Sequence, residues 1–431
     1  MPGGLRWQAG NTREAVLPAI GLPDFQCKLP DFQFLWSWEK PASRKIGKVA
    51  GFPPAPVPDP QPMQLLPLFV LIVSASAALA VPAFPGAEGF GANAKGARAS
   101  ASPTVYHVTN LNDSGSGSFR DAVSESNRVV VFDIGGIIRI NTPVVVSANL
   151  TIAGQTAPGG GVTVYGNRIS FSGADNTICR YVRFRMGIDG DDGADAMGLA
   201  DGSDMIFDHI SASWGRDETF SISGDTAIRI TIQDSLIAQG LRIHSAGGLM
   251  QTSGGVSIFR TLYADNWMRN PKVKGVNDYV NNVVYNWGGG GGYIPAGDSA
   301  GDSYANVIGS YFIGGPETGV GTSPFKSGNT NYRIYHSGNF QDLDLDGVLD
   351  GTTVTNASFP TLNIVGTRFA YPAPTTELTA QGALTWVLAH AGASRTRDRT
   401  DDYVLDEVRT YGTGGVFIYD EAEMGGIGSV A

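Results

Sequence analysis

Cysteine is nearly absent: Cys27 and Cys179 are the only two in 431 residues. A disulfide-stapled scaffold is therefore excluded, and stability has to come from a large buried core. Charge is also sparse, at 16% of residues, and the balance is acidic, with a formal net charge of −10. Such a chain repels nucleic acid and anionic membranes, so neither is expected as a partner. An anionic ligand needs a local basic site or a bridging cation. Collagen is excluded because the 58 glycines have no three-residue period, and 42% apolar residues argue against a disordered chain. Long helical patterns are nearly missing from Val81 onward.

What is present begins with an apolar stretch, Met63 to Ala80 (MQLLPLFVLIVSASAALA), which ends in small residues. It is too short in its strongly apolar part for a membrane span and has the pattern of a secretory signal peptide. The expected organisation is a leader at 63–80, a mature domain at 81–431, and a Pro-rich, basic, low-complexity extension at 1–62 upstream of the true start at Met63. Such a protein is extracellular. Cleavage after Ala80 leaves Cys179 as the lone cysteine and makes the chain more acidic, because the segment before Val81 holds more basic than acidic residues. Glycosylation sequons at Asn112, Asn149 and Asn356 are compatible with secretion.

From Val81 the chain is a series of short β-rich runs, among them NLTIAG, TICRYVRF, MIFDHISAS, IRITIQDSLI, VSIFRTLY, YVNNVVYN and YANVIGSYF. Each is bounded by Gly, Asn, Asp or Ser, and they recur about every 22–28 residues, the spacing of solenoid coils rather than of hairpins. The expected fold is all-β: a single-stranded parallel β-helix with inward Ile, Val and Phe and with Gly, Asn or Asp at the corners. Short capping helices are expected at SFRDAVSES, with Ser118 as N-cap, and at residues 383–393, ALTWVLAHAGA. The Gly-rich run at 286–293 and the acidic insert at 342–350 read as loops leaving the stack.

Two loops carry chemistry. Asp189, Asp191, Asp192 and Asp195 crowd the turn after the strand RYVRFRM, and one coil later come Asp217 and Glu218. Residues one coil apart are stacked neighbours in a solenoid, so both sets can converge on a hard cation such as calcium; Asp and Gly also supply plain turn geometry, and the residues alone leave both readings open. The second loop, within DNWMRNPKVKGVNDYVNNVVYNW, packs Arg269, Lys272 and Lys274 into six residues at the entry to a strand. Either it receives an anion or it is a solvated set of surface charges. Farther on, Asp342, Asp344 and Asp346 followed by Gly347 open an EF-hand-type loop with Thr353 in place of the final Glu and without flanking helices, which reads as a turn or a structural calcium site.

The series PAFPGAEGFGA, YHVTNLNDSGSGSFRDAV, LTIAGQTAPGGGV, FDHISASWGRDE, MRNP and YVNNVVYNW resembles the pectate lyase superfamily of right-handed parallel β-helices, close to polysaccharide lyase family 1. The likeness covers nearly all of 82–430. It implies a secreted, monomeric lyase that cleaves an acidic polysaccharide, polygalacturonate, by calcium-assisted β-elimination. Arg269, in Arg269-Asn270-Pro271, matches the family's catalytic base. Lys272, Lys274, His244 and Arg242 fall where substrate is bound, and Asp195, Asp217 and Glu218 where calcium is held. The chain departs from the pattern in two places: Lys274 stands where relatives have an arginine, and Ser221 stands where the second of two carboxylates four apart is expected. His209 matches a family position, but a packed core histidine is the favoured reading. The alternatives are a lyase for another uronate polymer and a catalytically weak glycan-binding β-helix.

Overall fold

The computed structural model describes residues 81–295 and 301–427. The extension read at 1–62 and the leader read at 63–80 lie outside the described residues. Strands Thr104–Val108, Arg128–Phe132, Thr151–Ala153, Ile178–Arg180, Met197–Asp208, Phe220–Gln233, Leu249–Phe259, Lys272–Val280, Ser303–Ile308 and Tyr332–Ser337 follow one another across one sheet. The shorter strands between them, from Gly136–Arg139 and Val162–Tyr165 through Val182–Arg185, Ser211–Ser213, Leu236–Ala238, Leu262–Ala264, Val283–Tyr285 and Tyr311–Ile313 to Phe340–Asp342, build a second sheet. Among the described residues these sheets hold 14 and 10 strands. Their pairings are parallel except for that of Phe340–Asp342 with Thr352–Thr353. This is the coil-on-coil β-solenoid that the repeat spacing predicts.

Period-two alternation turns one row of side chains inward on every coil, and like residues stack. Phe171 meets Phe207 edge-on at 4.9 Å, and Phe207 meets Phe220 at 5.1 Å. Such pairs add about 0.5–1.5 kcal/mol each beyond their burial. Corner backbone is satisfied by a polar ladder. Ile210 N donates to Ser235 Oγ (3.2 Å), Ser235 N to Thr261 Oγ1 (3.4 Å), Thr261 N to Asn282 Oδ1 (2.9 Å), Asn282 N to Ser310 Oγ (3.1 Å) and Ser310 N to Asn339 Oδ1 (2.9 Å). Each rung supplies an acceptor for a buried N–H that the turn removes from the sheet.

The residue before each rung takes a left-handed conformation. Asp234 (φ 48°) and Asn281 (φ 58°) are the types expected there, but Tyr181 (φ 56°), His209 (φ 52°) and Arg260 (φ 49°) are not. Neighbouring coils impose the corner on these larger residues, so the strain is held by packing above and below. Of the three sequons, Asn149 belongs to a similar stack, donating to Asn127 Oδ1 (2.9 Å) and accepting from Asn176 Nδ2 (3.2 Å), whereas Asn112 and Asn356 are exposed.

The helix Phe119–Val123 covers the first coil with Phe119, Ala122 and Val123, and Ser118 caps it by accepting from Asp121 N at 3.2 Å. The apolar segment near residue 383 forms helix Ala380–His390, whose Leu384 and Val387 pack on the outer face of the second sheet beside Leu236, Leu262 and Val283. A further helix, Arg399–Val408, lies on the same face through Val404, Leu405 and Val408. Among the described residues no helix is long and apolar enough to cross a membrane.

This second helix brings Glu407 to the buried Asp265, whose Oδ1 accepts from Asn286 Nδ2 at 2.7 Å. Burial drives both carboxyls up, Glu407 from 4.5 to about 7, so the pair keeps a proton in the folded protein. A group raised in the folded state contributes stability below its unfolded pKa that is lost as pH rises through the folded value. Denaturation midpoints are therefore expected to fall between pH 4.5 and about 7. Glu407→Gln is expected to flatten that slope, removing a penalty on the order of 2 kcal/mol at pH 8. Parallel pH profiles for the two proteins refute the assignment.

Candidate active site

Consecutive coils carry the charged residues into one patch. The turn before Met197–Asp208 holds Asp195; the next coil holds Asp217 and Glu218 just before Phe220–Gln233; then come His244 and Arg269 before Leu249–Phe259 and Lys272–Val280. Lateral bridges from Glu218 to Ala246 and from Ala246 to Met268 fix this register. One oxygen each of Asp217 and Glu218 and one nitrogen of His244 lie within 4.8 Å of one another. His244 Nε2 is 3.0 Å from Asp217 Oδ1, and the Arg269 guanidinium donates to Glu218 Oε1. Asp195 Oδ1 accepts from the backbone N–H of Glu218 at 3.2 Å.

The backbone under these groups is rigid. Arg269 has a left-handed conformation, φ 58°. The following Asn270 is locked to Asn266 by two side-chain bonds, Nδ2 to Asn266 O (3.1 Å) and Oδ1 from Asn266 Nδ2 (2.9 Å), while Asn266 Oδ1 accepts from Gly240 N on the coil beneath (2.9 Å). Glycine is required at 247, since a Cβ there would lie 2.7 Å from Arg269 O.

Electrostatically the patch mixes both signs at its rim: Glu218 and Asp195 are its most buried charges, and Asp217 and His244 its most exposed. The Asp195 carboxyl is pushed up to about 6, chiefly by burial; Arg168 and Arg269 oppose the shift and Asp217 adds to it. A buried carboxyl pressed by a like charge is stabilised by a proton or a cation. Asp195, Asp217 and Glu218 offer carboxylate oxygens on adjoining coils, the chemistry that a hard divalent cation such as calcium takes, and the atoms that gather within one ion's reach are those of Asp217, Glu218 and His244. His244 is the one nitrogen in the group and is better suited to pair with Asp217 or with a substrate anion.

The sequence-derived residues do not all meet. Arg242 lines the same cleft as Asp217 and His244, with its guanidinium 5.2 Å from the Phe417 ring and 5.6 Å from that of Tyr419. Lys272 and Lys274 lie in the row formed with Leu249 and Gln251, and the buried Val273 between them makes both side chains face out. Lys274 opens onto a separate depression of about 260 Å³ with Asp225, Gln251 and Asp302. His209 is elsewhere, stacked on Tyr181 at 4.6 Å and 2.9 Å from Asp208 Oδ2, facing a cavity of about 320 Å³ under Trp386. Arg168 went unnoticed in the sequence, yet its guanidinium is 3.8 Å from Asp195 Oδ2. Its signal was the spacing: it precedes Asp195 by one coil length.

No family model matches the chain. Curated relatives do. "Probable pectate lyase C" of Aspergillus fumigatus is 58% identical over 356 residues, covering 82% of this chain and 83% of the relative, and that of Emericella nidulans is 57% identical over 353 residues, covering 81% of each. Among solved structures, the thermostable pectate lyase PL 47 aligns with a TM-score of 0.55 at 14% identity, covering 73% of this chain and 98% of that one. A pectate lyase bound to a hexasaccharide gives 0.53 at 14% identity, covering 74% and 100%. At this identity the structural likeness speaks for the fold.

Proposed function

The chain belongs to the pectate lyase family, and from that premise we propose that it is a secreted, monomeric enzyme that cleaves polygalacturonate by calcium-assisted β-elimination. The observation that carries this reading is the meeting, from consecutive coils, of Asp217, Glu218 and His244, with Asp195 bonded to the Glu218 backbone N–H and Arg269 to the Glu218 carboxylate. A uronate chain needs that combination: its carboxylate must be neutralised before the adjacent C5 proton becomes acidic enough to remove. Calcium, when bound, supplies that neutralisation at the substrate carboxylate.

The protein's own residues then divide the work. Asp195, Asp217 and Glu218 hold the cation. Arg269 stands at the reacting carbon. Its guanidinium is suited to the charge that gathers on the carboxylate as the C5 proton leaves. Release from Glu218 is the condition for the base role that the family resemblance assigns to it. Arg242, His244, Lys272 and Lys274 bind carboxylates of neighbouring sugar units, the lysines as point charges without the bidentate fork of arginine. Secretion follows from the leader at 63–80, with the mature chain starting at Val81; N-terminal sequencing of the natural protein tests that boundary, and a peptide from 1–62 refutes it.

The activity test is to follow unsaturated product from polygalacturonate with and without chelator. Product is expected with calcium, and Asp217→Asn is expected to raise the calcium concentration for half-maximal rate by about tenfold or more. Saturated ends indicate hydrolysis and reject elimination. Product from a different uronan alone keeps the elimination and moves the substrate.

A further inference from the structure

The acidic insert at 342–350 is a long way in sequence from the cleft residues and is untouched by the proposed reaction. Asp342 ends the strand Phe340–Asp342, and the chain returns at Thr352–Thr353 to pair with it. The loop between them folds so that one carboxylate oxygen each of Asp342, Asp344 and Asp350 falls within 4.8 Å of the others. Asp344 and Asp350 are exposed, but Asp342 is only 3% exposed, and its Oδ2 is buried with no hydrogen-bond partner. A carboxylate oxygen left unpaired inside a protein carries a large desolvation cost, and the charges nearest to it, Asp344 and Asp350, are also negative.

The remaining residues of the motif are accounted for in other ways. Asp346 Oδ1 accepts from Val348 N at 2.7 Å, an ordinary side-chain turn, and Thr353 is paired in the sheet opposite Phe340. Three acidic side chains are therefore left pointing at one spot, with Asp342 as the inner wall. The loop also lies against the segment after the last long helix: a Cβ on Gly412 would come within 2.9 Å of Leu345 Cα, and one on Gly347 within 3.2 Å of Thr413 Cγ2.

We infer that Asp342, Asp344 and Asp350 bind a calcium ion at a structural site separate from the catalytic cleft, fastening the last coil of the solenoid to the chain at 410–413. The donors are all oxygens, which selects a hard cation over zinc or copper. An irregular loop with three carboxylates and room for water suits the 6–8 ligands of calcium better than the octahedron that magnesium demands. The insert thus ties the C-terminal segment down in the extracellular medium, where the chain has no disulfide to do so.

The test uses the mature protein stripped with EDTA, in a background carrying Asp195→Asn and Asp217→Asn so that the cleft does not contribute. Adding millimolar calcium is expected to raise Tm by about 2 °C or more, with magnesium at the same concentration giving less than half of that. Asp344→Asn and Asp350→Asn, both exposed substitutions that leave the core intact, are expected to abolish the rise while keeping the calcium-free Tm. With Asp195 and Asp217 restored, both variants keep wild-type kcat at saturating calcium. A calcium-dependent rise that persists in both variants, or no rise in the background protein itself, overturns the assignment. The second result would mean that a proton on Asp342, rather than a metal ion, relieves the cluster.

Discussion

Arg269→Ala is expected to lower kcat/KM on polygalacturonate by about 10³-fold, the loss seen when one preorganised donor to a developing oxyanion is removed. The position is built for its side chain: the left-handed backbone at Arg269, the Asn266–Asn270 lock and the glycine at 247 hold it on a fixed loop at the edge of the carboxylates. Alanine leaves that backbone scaffold in place but takes the cation away from the buried Glu218, so some loss of Tm is expected and is measured alongside the kinetics. How the loss divides then identifies the role. A residue acting on the reacting carbon lowers kcat, whereas one that only clamps a ground-state carboxylate raises KM and leaves kcat alone. Arg269→Lys separates the two further, because it keeps the charge and loses the fork. If Arg269→Ala retained kcat within about threefold of wild type, the placement of Arg269 at the chemical step would fail.

The solenoid was legible because its signal is redundant. Every coil repeats the apolar alternation, and a strand with no strong signal of its own, such as the short Ile169–Ser170, does not disturb the count. Corners were less so. Composition points to Gly, Asn and Asp, but Tyr181, His209 and Arg260 occupy left-handed positions. The cause is the coil above and below, which a single stretch of sequence does not contain. The same distinction separates the site residues. Asp195, Asp217, Glu218, His244 and Arg269 could be placed on successive coils from their order, and the structure brings them together. That Arg269 is held by Glu218 and His244 by Asp217 depends on side-chain direction across coils and was not readable. Arg168 was missed for a related reason, since a lone arginine just before the strand Ile169–Ser170 has no local motif and acquires meaning only once coil length sets it over Asp195. The helix Arg399–Val408 was hidden because its sequence, RTDDYVLDEV, is polar; its first turn is stabilised by Asp398, whose side chain accepts from Asp401 N at 3.1 Å.

That N-cap leads to the largest expected effect on stability. Arg183 and Arg185, two apart on the strand Val182–Arg185, share one outward face of the second sheet, and both are buried under the helix that Asp398 starts. Arg185 Nη2 is 2.8 Å from Asp398 Oδ1 and 2.9 Å from Asp401 Oδ1, and Arg183 Nε is 3.5 Å and 3.7 Å from the Oδ2 atoms of the same two residues. Ser211 Oγ completes the set by donating to Asp401 Oδ2 at 2.6 Å. Two cations facing two anions make this group neutral, and its burial is tolerable for that reason. Arg185→Met removes one cation and leaves two carboxylates sharing Arg183, which is expected to cost about 3–5 kcal/mol, a large part of the stability of an ordinary domain. Adding Asp398→Asn to Arg185→Met removes the surplus charge, so the double variant should recover part of the loss despite carrying a second substitution. The pH dependence follows from the same balance. Arg185 and Arg183 hold the Asp398 carboxyl down at about 2 against burial, whereas burial and the charge of Asp398 push the Asp401 carboxyl up, so the loss in acid falls on Asp398. A depressed group contributes stability above its unfolded value, 3.8, and loses it as pH falls through the folded one. Wild type should therefore lose part of its margin between pH 4 and 2, and Arg185→Met should lose less there because it has less of that interaction to lose. Urea midpoints at pH 7 and pH 3 for the three proteins measure both effects. A cost below about 1 kcal/mol at pH 7 would show that the group is exchanged for water without penalty and that the helix is held by Val404, Leu405 and Val408 alone.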